Sequence, residues 1–269
     1  MGPANEISRH GIDHLVDLPG VGKNLQDHID YITVHKYNSI KLIGFSLKTI
    51  LFKYPYEVIK YLITKTGLFT STIAEAGAFL KTRDDLEAPN IQFHYAPALI
   101  VDHGRSLLWG TGMSCHSCLL RPKSRGEVTL ESSDPFADPL IDPKFLSHPD
   151  DMKDMIDGYK MMMRVLGTEP FSKYISDHTM RPIDINDDSD IEQAMREEAD
   201  TVYHPVGTCK MGDDEMSVVD SRLKVHNMKG LRVVDASIMP TLVGGNTNAP
   251  TIMIGEKASD MILQDWNMH

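Results

Sequence analysis

Toward the end of the chain Ile254, Ala258, Met261 and Ile262 fall on one face at helical spacing. This predicts a helix from about Pro250 to Asp265, with the proline suited to its first turn. A second helix is expected to begin near Pro149-Asp150-Asp151, where acids suit the macrodipole, and to end at Gly167. Asp190 is placed to cap a third, Ile191 to Ala199. Elsewhere the period is two. Ile91 to Tyr95 alternates apolar with polar, Met113 to Leu120 runs into Arg121-Pro122, and Arg125 to Leu130 reads as another strand. Leu231 to Asp235 is expected as a short strand. Pro135, Pro139 and Pro143 forbid continuous helix between them, and Asp17 to Gly22 packs a proline and two glycines into a turn. Short strands mixed with helices predict an α+β architecture.

One stretch departs from its surroundings. Between Ile40 and Thr66 lie Lys41, Lys48, Lys53, Lys60 and Lys65 against a single acid, Glu57, among many apolar residues. The whole chain, by contrast, carries a net charge of -11 over 269 residues. Basic plus apolar is the composition of a helix lying on a membrane surface, through residues 40–66. The plainer account is a pair of core-packed helices broken at Pro55, with the lysines solvated, since most amphipathic helices pack on their own protein. The acidic balance argues against a nucleic-acid partner. Three cysteines do not suit a disulfide framework, no run of about 18 apolar residues occurs, and the first residues lack an apolar signal core. A cytoplasmic protein is expected, with a peripheral site on the inner membrane face as the variant the lysines allow.

The common motif routes to function are closed: no G-x-G-x-x-G, Walker loop, H-E-x-x-H or G-x-S-x-G is present. Cys115-His-Ser-Cys118 lacks a second ligand pair and lies in a strand pattern, so no metal is expected. Two segments remain. His204, pinned before Pro205 with Gly207 close behind, is a candidate fixed acid/base, or a structural histidine. From Asp235 to Thr251 a strand end, a glycine loop with Asn246 and Asn248, and a helix start follow in succession. That composition suits an anion or carbonyl-oxygen site, or plain capping by Thr247 or Asn248.

Taken together, Met1-Gly-Pro3, Leu18 to His28, Leu120 to Gly126, Tyr203 to Gly212, Val234 to Thr241 and Asn246 to Asp260 resemble the glucose-methanol-choline (GMC) flavoprotein oxidoreductases, over nearly the whole length. Bacterial choline dehydrogenase-like and medium-chain alcohol dehydrogenase members look most similar. The resemblance implies an antiparallel-sheet substrate-binding domain at 31–200, flanked by FAD-domain segments at 1–30 and 201–269. It implies FAD as cofactor and oxidation of a primary alcohol to the aldehyde, with a quinone or another electron acceptor downstream. His204 would be the base and Asn246 the second catalytic residue. Asn24, Asp235, Ala236, Asn248 and Thr251 would approach the cofactor. The family's N-terminal dinucleotide-binding βαβ lies outside this sequence. The alternative expectation is therefore a non-catalytic fragment that binds a partner chain and holds no FAD by itself.

Overall fold

A computed structural model describes residues 1–37, 39, 41–101, 105–106, 108–174 and 183–266. Ile40, the first residue of the Lys-rich stretch, lies outside the described residues. The chain divides into two compact units. One is built from residues 1–29, 120–151 and 201–269, the other from 30–119 and 152–200.

The second unit is a twisted antiparallel sheet with helices. Strands β1 (Ile29–Lys36), β2 (Gly44–Phe45), β3 (Ala76–Leu80), β4 (Ile91–Ala96) and β5 (Gly110–Leu119) run in the order β3-β4-β5-β1, with β2 also on β5. Register is set by pairs such as Phe93 with Ser117 and Tyr31 with Ser117, so alternate residues share a face. On one face Tyr31, Ile91, Phe93 and Leu119 are fully buried. Helix α3 (Pro149–Leu166) covers that face with Met155, Tyr159, Met162 and Leu166. Tyr159 meets Tyr31 edge-on at 5.7 Å between ring centroids. Gly158 is needed at the crossing, since a Cβ there would lie 2.9 Å from Ile91 Cδ1 and Ser117 Oγ. Helix α2 (Tyr54–Thr64) follows one wide π turn, Thr49–Lys53, and buries none of its own residues. Helix α4 (Asp188–Glu198) buries Ile191, Ala194 and Met195.

The first unit holds helix α1 (Ala4–Arg9), the hairpin β6 (Glu127–Thr129) with β7 (Leu140–Asp142), and helix α5 (Asn248–Asp265). Its core gathers Leu18, Val206, Val219, Leu223, Ile238, Leu242, Ile254 and Ala258. Much of it is irregular backbone held by close approach. Gly22 sits at φ +77 where a Cβ would lie 2.1 Å from Val128 O.

These elements agree with the α+β expectation and correct it locally. Residues 231–235 form no strand of their own; an isolated antiparallel bridge pairs Lys224 with Arg232, flanked by Val225 N donating to Leu231 O and Val233 N to Leu223 O. Helix α4 is capped one turn earlier than expected, by Asp187, whose side chain accepts from Ser189 N; Asp190 instead accepts from Asp184 N. The strand β1, which pairs along its length with β5, was not among the expected elements.

Candidate active site

The first unit brings His204 beside Asn246. Asn246 Nδ2 stands 3.4 Å from His204 Nε2, although 42 residues separate them. The segment carrying His204 is fixed on both sides. Gln26 and Val206 exchange backbone hydrogen bonds of 3.0 and 2.8 Å, and His204 N donates to Asp27 Oδ1 at 2.9 Å. Asp27 also accepts from Thr201 Oγ1. Burial pushes the Asp27 carboxyl up, against the lowering pull of those hydrogen bonds. Tyr203 holds a left-handed φ of +64 just before the histidine. That conformation costs a bulky residue about 1–3 kcal/mol and persists where surrounding structure enforces it.

A second histidine backs the first. His28 is fully buried, and its Nδ1 lies 2.9 Å from His204 Nδ1, the rings edge-on at 5.1 Å. His28 Nε2 faces two backbone carbonyls, Leu120 O at 3.2 Å and Val243 O at 3.1 Å.

Helix α5 begins directly after Asn246. Thr247 at its N-cap makes no side-chain cap hydrogen bond, while Thr251 N and Oγ1 both donate back to Thr247 O. Of the two capping residues weighed from sequence, Thr247 does not cap this helix with its side chain. The first N–H groups of a helix have no partner within it and suit negative charge. Asp235 lies at the start of a short 3-10 turn, Ala236–Ile238, and accepts from Ser237 N at 2.7 Å; Ala236 packs on the core. Asn24 joins loops: its Nδ2 donates to Gly207 O and Pro240 O, and its Oδ1 accepts from Gln26 Nε2. Gly207, at φ +97, makes room for Asn24, whose O would lie 2.4 Å from a Cβ there.

The two strand cysteines lie elsewhere, in β5. Both are buried, three residues apart and so on opposite faces, and burial pushes Cys115 up to about 12. Among the described residues no helix is long and apolar enough to cross a membrane. Asp27 and His28 are the site residues that residue-by-residue reading passed over. The only sequence signal for them was their place in the Leu18 to His28 segment.

Within the first unit a histidine and an asparagine thus converge next to a helix start, a proton acceptor and an amide donor side by side. The comparisons name the family. Residues 122–255 match the profile of the GMC oxidoreductases. An alcohol dehydrogenase [acceptor] of Pseudomonas putida is 44% identical over 271 residues, covering 100% of this chain and 48% of that protein. An oxygen-dependent choline dehydrogenase of Cronobacter sakazakii is 37% identical over 262 residues, 97% and 46% of the two chains. A solved structure of Aspergillus oryzae formate oxidase, from work on its FAD modification, superposes with a TM-score of 0.89 at 26% identity, over 100% of this chain and 52% of that one. The chain belongs to the GMC oxidoreductases, and it spans about half the length of these relatives.

Proposed function

We propose that this chain supplies the acid/base half of an FAD-dependent enzyme oxidising a primary alcohol, choline-like or medium-chain, to its aldehyde. The observation that carries the reading is the 3.4 Å approach of the Asn246 amide to His204 Nε2 at the open start of α5. Names of the relatives, alcohol and choline dehydrogenases, support the same substrate class. His204 accepts the hydroxyl proton at Nε2, and Asn246 donates to the alcohol oxygen as negative charge grows on it. FAD, when bound, supplies the acceptor for the hydride leaving the carbinol carbon. The N–H groups at the start of α5 would suit that group's electron-rich ring edge; the segments of Asp235, Ala236, Asn248 and Thr251 would hold it, and Asn24 ties the Gly207 and Pro240 loops together. In the whole protein, His204→Ala should lower the rate of flavin reduction by alcohol by about 100-fold to 10,000-fold. Reduction at an unchanged rate would overturn the assignment.

A second reading has its own support. Ile252, Met253 and Trp266 of the first unit are well exposed, Trp266 at 72%. Apolar surface of that kind suits cover by another polypeptide, and then this chain binds a partner and holds no FAD by itself. A flavin spectrum of the purified chain with added FAD separates the two: a bound, alcohol-reducible flavin sinks the second reading. We also propose that residues 41–66 dock on an anionic membrane surface, where a quinone acceptor would be at hand. The support is the exposed apolar row of α2 among lysines.

A further inference from the structure

We infer that His28 is a positioning residue that fixes the tautomer of His204, holding its proton on Nδ1 and presenting the Nε2 lone pair to the substrate side. The inference deepens the reading of His204 as base and rests on it for its catalytic meaning, though not for its geometry.

Carbonyl oxygens only accept, so His28 Nε2, facing Leu120 O and Val243 O, must carry a proton. A doubly protonated His28 would be a cation at 0% exposure, stripped of water, which is costly. The neutral ring then has its lone pair on Nδ1. At 2.9 Å from that atom, His204 Nδ1 can only be the donor. With Nδ1 protonated, neutral His204 carries its lone pair on Nε2, the atom Asn246 Nδ2 approaches with a hydrogen to give. Two main-chain carbonyls on the Leu120 and Val243 segments thus dictate, through one buried ring, which nitrogen of His204 can take a proton. Asp27 adds the second constraint by accepting from His204 N, so backbone and ring are held independently. A histidine with the opposite tautomer would offer an N–H to the alcohol and could not act as its base.

Nitrogen-15 NMR of histidine-labelled protein reads the tautomer directly, through the distinct shifts of protonated and bare ring nitrogens. The wild type is expected to show His204 with Nδ1–H. Finding the Nε2–H form in the wild type would overturn the inference without any substitution. His28→Gln keeps an acceptor for His204 and an N–H for the carbonyls, so it should retain the tautomer and most of the rate of flavin reduction. His28→Leu removes the acceptor; the tautomer should change and the rate should fall by about 100-fold with little change in KM. Should His28→Leu fail to fold, the wild-type and His28→Gln spectra still decide. An unchanged tautomer in a folded His28→Leu protein would sink the positioning role. The outcome for the broader reading is separate: if the tautomer behaves as stated but His204→Ala still reduces flavin, His204 is not the base and only the tautomer assignment survives.

Discussion

Helices α2 and α3 belong to the same unit and both carry apolar residues at helical spacing, yet they ended in opposite situations. In α3 the stripe is gone from solvent: Met155, Tyr159, Met162 and Leu166 are all at or below 2% exposure. In α2 no residue is buried, and Tyr56, Ile59, Leu62 and Ile63 are exposed by 58 to 77%. Charge separates them as well. Acids lead α3, whereas the segment around α2 is lysine-rich. Amphipathicity says that a helix has a face to cover; only the surroundings say what covers it. For α3 it is the sheet. For α2, basic and bare, we propose lipid.

The comparison breaks most sharply at the α3 face. Met162→Ala should cost about 2–5 kcal/mol, because the side chain is fully buried and its removal leaves a cavity. Chemical denaturation monitored by circular dichroism checks it. Lys48→Glu with Lys60→Glu comes next. At about 1 kcal/mol per lysine near an anionic surface, the pair should weaken binding to phosphatidylserine vesicles by roughly 30-fold or more. Equal pelleting of the variant would sink the lipid assignment. Leu62→Asp, at the same kind of apolar position as Met162, should change stability in solution by no more than about 0.5 kcal/mol. A large loss would mean that α2 is covered by its own protein after all.

The smallest effect concerns Lys53, a partly buried lysine of this stretch. Its Nζ donates to Lys41 O and Leu42 O at 3.0 and 2.9 Å, and burial lowers its pKa despite the raising pull of Glu57 and Glu75. A lysine depressed in the fold binds fewer protons there than when unfolded. Stability from this group therefore rises with pH between its folded value and the ordinary 10.5. Replacing it with Met should remove that alkaline rise, a change in Tm of no more than about 2 °C on thermal scans.

Local elements were legible where local chemistry decides them. The α3 helix, expected from Pro149 to Gly167, spans Pro149–Leu166, and the alternation at Ile91 marks β4. Strand β1 was not legible because its polar residues Asp30, Thr33 and His35 are buried along with its apolar ones, which erases the period of two. Residues 231–235 misled in the other direction: the β-branched pair Val233-Val234 reads as a strand, but the pairing with residues 223–225 stops at one bridge. His204 and Asn246 were legible through motif resemblance. The contact of His28 with His204 was not, since it spans 176 residues and exists only once the chain has folded.

The interleaving of the two units also sets an order of assembly on the ribosome. Everything the sheet unit needs has been made by residue 200, whereas the other unit takes segments from both ends and the middle and waits for Ile254 and Ala258 to complete its core. Domains mature as their residues emerge, and distant closures come last. The sheet unit should become protease-resistant on arrested nascent chains before the histidine pair is held in a completed core. Simultaneous protection of both units would argue against that order.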